Sequence, residues 1–166
     1  SPDMIGGGEY TCFLNGNENA CTPEMFVRYA QIAALMPVMQ FSASPWRVLP
    51  EADFQKVKDA LALRGKCLPE ILKAVENAKA TGEPIARSME FVFPGQGMER
   101  VMDQFMVGDA LLVAPVWKQG EVVRSVTLPE GQWRCVGLGE TEGDVLNGGR
   151  DVVLGENDVL VVLRRE

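Results

Sequence analysis

The chain has no histidine among its 166 residues. Ser-His-Asp and Cys-His catalysis are therefore excluded, together with zinc sites that rely on imidazole. No stretch reaches 18 consecutive apolar residues, so nothing reads as a membrane-spanning helix and no membrane partner is expected. Basic residues are scarce: 16 Lys and Arg stand against 23 Asp and Glu, a formal charge of −7. A phosphate-backbone binder needs clustered Lys and Arg, so nucleic acid is not an expected partner either. The start, Ser1-Pro2-Asp3-Met4, lacks the basic-then-apolar pattern of a signal peptide. None of Asn15, Asn17, Asn19, Asn77, Asn147 and Asn157 has the downstream hydroxyl of a glycosylation sequon. Cys12, Cys21, Cys67 and Cys135 form no C-x-x-C pair. They read as reduced thiols, with a Cys12–Cys21 disulfide as the alternative in an oxidising compartment.

What is present is a globular composition, 46% apolar and 23% charged, with room for a real core. The first half reads as helices punctuated by short strands and loops. Gly6-Gly7-Gly8 and Asn15-Gly16-Asn17-Glu18-Asn19 are loop chemistry. Thr22 reads as an N-cap with Pro23 at the first helical position, opening a helix that runs to about Met36. Its apolar residues cover most of its circumference, which predicts packing on more than one side. Pro37 to Ser42 is an apolar run short enough for a buried strand. A loop from Ala43 to Pro50 carries Trp46 and Arg47. Two helices are predicted next, one through Phe54, Val57 and Leu61 that Gly65 ends, and one from Leu68 to Ala78 that Gly82 stops.

After Gly82 the period changes to two. Ile85 to Phe93, Phe105 to Val113, Val122 to Leu128, Trp133 to Val136, Val152 to Leu154 and Val159 to Leu163 are strand candidates. The predicted fold is therefore α/β followed by all-β, with domains at 1–82 and 83–166.

In α/β folds, ligands bind at loops that follow the carboxyl ends of strands. Two such loops begin near Asp3 and near Ser42. Asp3, Gln40, Ser42, Trp46 and Arg47 would share one site, suited to a neutral polyhydroxylated ligand through hydrogen bonds and aromatic stacking. The alternative is that Asp3 caps a turn, Trp46 is core and Arg47 is a surface ion pair. Phosphate binding at Gly6 to Gly8 is weak, because neither G-x-x-x-x-G-K-[ST] nor G-x-G-x-x-G is present. The eight methionines read as core filling, and the acidic pairs Glu140/Glu142 and Glu156/Asp158 as solvated turns.

Several motifs resemble glycoside hydrolase family 31, the α-glucosidase and α-xylosidase family. Asp3-Met4-Ile5-Gly6-Gly7-Gly8 is similar to its D-I-G-G-F stretch, and Arg28-Tyr29-Ala30-Gln31 to its R-W-x-Q helix. Met36 to Ser42 resembles its P-F-x-R-x-H strand, and Gly82 to Ser88 its G-x-P-I-x-R-P motif. Asp103-Gln104-Phe105-Met106-Val107-Gly108-Asp109, followed by Leu112-Val113-Ala114-Pro115-Val116, resembles D-Q-F-M-L-G-D…L-V-A-P-V. Leu128-Pro129-Glu130-Gly131-Gln132-Trp133 matches L-P-x-G-x-W. The motifs follow family order over residues 1 to 135.

The resemblance implies the last two βα units of a (β/α)8 TIM barrel, then a C-terminal β-sandwich. It implies a retaining exo-α-glycosidase that hydrolyses O-glycosyl bonds of α-linked sugars with a nucleophile and an acid/base aspartate about 5–5.5 Å apart. In the family both aspartates lie on earlier strands, so no catalytic residue is expected in this chain. A non-catalytic carbohydrate-binding or structural remnant of such an enzyme is the alternative. The implied partners are an α-linked oligosaccharide or glycoside and the N-terminal barrel portion of the same protein. No metal or organic cofactor is implied. Where the family has a histidine this sequence has Ser42, where it has an arginine Gln40, and where it has an aromatic Gly8. One extra residue separates Asp3 from Gly6-Gly7. The substrate-binding candidates are therefore Asp3, Gln40 and Ser42, with Trp46 added from the loop argument. Starting with serine rather than methionine, the chain is expected to be cut from something longer. On its own it is expected to be poorly soluble, oligomeric or partly disordered before residue 82.

Overall fold

Thr22 opens the first helix as its chemistry suggests. In the computed structural model, which describes residues 4–7, 21–137, 141–154 and 160–166, its hydroxyl accepts the Met25 N–H at 3.1 Å. It caps α1 (Pro23–Ala34), with Pro23 in the first turn. Such a cap is worth about 1 kcal/mol. The helix buries Phe26, Val27, Ala30, Ala33 and Ala34, and also Arg28 and Gln31, so neighbours cover it on several sides. A single turn, α2 (Pro45–Val48), precedes α3 (Glu51–Thr81), which Gly82 closes in left-handed conformation with its N–H on Ala78 O.

Gly65 does not divide α3, and Pro69 lies inside it. A proline in a helix interior costs roughly 3 kcal/mol. Val57, Ala60, Leu63, Cys67, Ile71 and Ala74 form one unbroken buried stripe across the break. Burying each larger member contributes about 1.5–3 kcal/mol, so the stripe outweighs the proline. Arg64, on the same helix, donates to the carbonyls of Ala34, Met36 and Pro37 and so closes the C-terminal end of α1.

The alternation from Ile85 to Phe93 does not give one strand. It gives β1 (Ala86–Ser88) and a helical turn, α4 (Met89–Val92). The Ser88 hydroxyl accepts the Phe91 N–H, turning the backbone away from the ladder. Phe105 to Val113 likewise splits into β2 (Phe105–Val107) and β3 (Leu111–Ala114). Gly108 makes the turn at φ 55°, and a Cβ there would lie 3.0 Å from Ala74 on α3. The remaining strands are β4 (Arg124–Leu128), β5 (Gln132–Cys135), β6 (Val145–Asn147), β7 (Arg150–Leu154) and β8 (Val161–Arg165).

Six strands form an antiparallel sheet in the order β1-β2-β3-β8-β5-β6, and β4 pairs with β7 in a second sheet. Along β3, alternate side chains enter different cores. Leu111 and Val113 pack with Leu63, Cys67, Ile71 and Ala74 of α3, whereas Leu112 and Ala114 pack with Val126 and Leu128 of β4. The module is a β-sandwich with α3 laid on its outer face. A strand covered on both faces reads as a continuous apolar run, which is why Leu111 to Ala114 shows no alternation.

The motif residues of this half are structural pins. Asp103 pairs with Arg124 at 2.7 Å. The Gln104 amide bonds both the N–H and the C=O of Thr127. Buried Arg87 holds Asp109 at 2.6 Å and Glu83 at 2.9 Å. Trp133 is fully buried, its indole N–H on Pro129 O at 3.0 Å and its ring edge-on to Phe93.

Candidate functional site

Ile5 and Phe41 form a parallel bridge. The Ile5 N–H donates to Gln40 O at 2.9 Å, and the Ser42 N–H donates to Ile5 O at 2.8 Å. Parallel pairing places the segments that follow both residues at one end, as the two-loop argument requires. After Ile5 the chain turns sharply, with the Gly7 N–H on Met4 O at 2.8 Å and Gly6 at φ 68°. A Cβ on Gly6 would sit 2.5 Å from Cε2 of Phe26. The glycine is thus needed for its backbone angle and for the close approach of α1.

Phe26 also stacks on Phe41, with ring centroids 6.2 Å apart. Phe41 and Met39 pack towards the helices. Successive residues of an extended segment face opposite ways, so Val38, Gln40 and Ser42 face away from the helices. All three are exposed, as is Met4 on the neighbouring segment.

Trp46, on α2, is 66% exposed and meets Phe54 edge-on at 6.5 Å. It is not a core residue. Phe54 in turn carries Lys58 over its ring at 4.6 Å, so Trp46 stands on a built base. Arg47 is exposed beside it. Gln40, Ser42 and Trp46 are thus all solvent-exposed, within seven residues of one another in the chain. Asp3 and Gly8 lie outside the described residues.

Sequence reasoning missed a polar cluster on the opposite side of α1. The Glu24 carboxylate accepts from Arg28 at 2.9 Å and from the Gly120 N–H at 2.7 Å. Those two donors hold its carboxyl below the ordinary carboxylate range, the Gly120 N–H being the larger influence. Arg28 also donates to Val116 O at 3.0 Å and Glu121 O at 2.5 Å. The available signal was the four-residue spacing of an acid and a base in the first turns of α1.

Cys67 and Cys135 are buried free thiols. Cys12 lies outside the described residues. Burial is the main cause that pushes the Cys67 thiol up to about 11. Among the described residues, no three His, Cys, Asp or Glu side chains come together as metal ligands. No helix there is long and apolar enough to cross a membrane.

The family model for the glycosyl hydrolase family 31 C-terminal domain matches residues 82–160. This chain belongs to glycoside hydrolase family 31. The myogenesis-regulating glycosidase of Mus musculus is 38% identical over 136 residues, covering 80% of this chain and 19% of that protein. The SITS-binding protein of Tetronarce californica is 32% identical over 171 residues, 99% of this chain and 23% of that one. Among solved structures, the α-xylosidase of this family from a soil metagenome, complexed with xylose, superposes with a TM-score of 0.77. It is 26% identical, and the match covers 87% of this chain and 25% of that one. The chain thus spans a quarter or less of the length of these relatives.

Proposed function

We propose that this chain is the C-terminal part of a retaining exo-α-glycosidase, contributing one side of the sugar site and a β-sandwich that supports it. In this reading residues 1–82 are the last two βα units of a (β/α)8 barrel, and residues 83–166 are the sandwich. The observation that carries the reading is the one-sided burial of the strand pair. Met39 and Phe41 are packed on helices while Val38, Gln40 and Ser42 are bare, the pattern of barrel strands whose inner face awaits the other strands. Leu61, Leu68 and Leu72 on α3 are also exposed, as expected of a helix flank that a further barrel helix would cover.

The chemistry divides accordingly. The nucleophile and the acid/base aspartates belong to the rest of the barrel, where one carboxylate attacks the anomeric carbon and the other protonates the leaving oxygen. Asp3, Gln40 and Ser42 bind sugar hydroxyls, and the Trp46 face stacks on the ring. No cofactor enters the reaction.

The assay joins this chain to the preceding barrel portion and offers p-nitrophenyl α-glycosides. Turnover with retention at the anomeric carbon, absent from the chain alone, is the expected result. Sugar binding without turnover by the joined protein would instead favour a non-catalytic binding protein. That second reading has an observation behind it, since the relative matching 99% of this chain is named for what it binds.

A further inference from the structure

Arg28 joins the two halves of the chain through backbone carbonyls. It is buried on α1, and its guanidinium reaches Val116 O and Glu121 O in the segment between β3 and β4. Glu24, one turn earlier, receives the N–H of Gly120 in the middle of that segment. The two side chains also bond each other. Three backbone groups of the sandwich are therefore fixed on the first turns of one helix.

The opposite side of the same turns carries Phe26. Its ring lies where a Gly6 Cβ would be and stacks on Phe41. Gly6 begins the turn after Ile5, and Phe41 immediately precedes Ser42. An unbroken chain of contacts thus runs from the β3–β4 segment through α1 to both loops of the sugar site. Packed side chains transmit displacement because they have little void to absorb it.

We propose that Glu24 and Arg28 are positioning residues, through which the β-sandwich sets the placement of the Gly6-Gly7 and Ser42 loops. The sandwich is then more than a stabilising appendage: the orientation of α1, and with it the sugar site, depends on its β3–β4 segment. The sugar-binding consequence rests on the function proposed above, whereas the mechanical coupling does not.

The test is amide and indole NMR on the full chain, comparing wild type with Arg28→Met and with the milder Glu24→Gln. Three tryptophans give three separate reporters: Trp46 on the site loop, Trp117 beside the Arg28 contact and buried Trp133 in the sandwich core. The coupling predicts shifts at Trp117 and at the Ile5, Gly6, Gly7 and Ser42 amides, with Trp133 and the β3–β8 amides unmoved. Shifts confined to Trp117 would overturn it, because the loop would be freed without reaching the site. Movement of every reporter, Trp133 included, would also overturn it by showing general loosening. If Arg28→Met does not fold, Glu24→Gln decides alone by the same criteria.

Titration with methyl α-glucoside and methyl α-xyloside then separates the two claims. Where wild type binds, the variants should weaken binding by about 3- to 30-fold, the range of such couplings. Unchanged affinity in variants whose site amides have shifted would overturn the positioning role. No binding by wild type would count against the sugar-site reading and leave the coupling to stand or fall on the amide shifts.

Discussion

The six-stranded sheet and the Ile5–Phe41 strand pair are both short stretches of extended chain in one molecule, yet they are finished differently. Strands β2, β3 and β8 at the centre of the sheet are covered on both faces, by α3 on one side and by β4 with α4 on the other. Among the described residues, the strand pair is covered on one face, by Phe26, Val27 and Val57. Its other face presents Met4, Val38, Gln40 and Ser42 to solvent. On the function proposed above, the difference separates two tasks: the closed region supplies stability, and the open one supplies surface for a ligand and for further chain.

The comparison can be broken most forcefully in the closed region. Trp133→Ala empties a fully buried site and strands the Pro129 carbonyl, so urea unfolding should show a loss of about 3–5 kcal/mol. A loss below about 1 kcal/mol would mean the sandwich core does not carry stability. Gly6→Ala comes next, at about 1–3 kcal/mol, because it meets both a left-handed backbone and the Phe26 ring. Its damage should appear in the amides of Ser42 and Ile5 while those of β3 and β8 keep their protection.

Cys67 gives a pH test of the interface between the regions. Its thiol is raised to about 11 from an ordinary 9, by burial and then by Glu70. The unfolded state therefore loses this proton first as pH rises. Stability tied to the thiol is complete below about pH 9 and is lost as pH climbs through 11, and Cys67→Ala should flatten that slope in urea melts. Glu24 works in the opposite sense, its folded carboxyl being lowered. Its contribution is present above the ordinary carboxylate range and is lost as pH falls through the folded value, a slope that Glu24→Gln should remove.

The smallest stability effects belong to the open side. Leu68→Ser and Trp46→Ala should each change stability by no more than about 0.5 kcal/mol, since both side chains are exposed. Sedimentation should show less self-association for Leu68→Ser, and sugar titration should show weaker binding for Trp46→Ala. A large destabilisation by either would contradict the division into closed and open regions.

Much of this was legible in the sequence, and the parts that were not have identifiable causes. Thr22 and Gly82 announced helix ends because capping is a local matter of side-chain oxygen and backbone angle. Gly65 with Pro69 announced a break that did not occur, because the stripe from Val57 to Ala74 buries against distant chain. Ile85 to Phe93 alternated like a strand, but the Ser88 hydroxyl supplied a competing local bond. β6, with Val145 and Asn147 exposed, carried too little apolar signal to be seen. Pro37 to Ser42 read as a buried strand, but it forms a single bridge at Phe41 and leaves Val38, Gln40 and Ser42 exposed, because the helices cover one of its faces. The Glu24–Arg28 connection was not legible, since its partners are backbone groups some ninety residues away. Side-chain identity says nothing about a carbonyl or an N–H that arrives from a remote turn.

The most direct measurement is native-state hydrogen exchange on the chain alone and after addition of the barrel portion proposed to precede it. The account predicts that β3 and β8 amides exchange only through global unfolding in both samples. It predicts that the Ile5 and Ser42 amides exchange far faster in the chain alone and gain protection when the barrel portion is added. Equal protection of the two regions in the isolated chain, or no gain at Ile5 and Ser42 on addition, would contradict it.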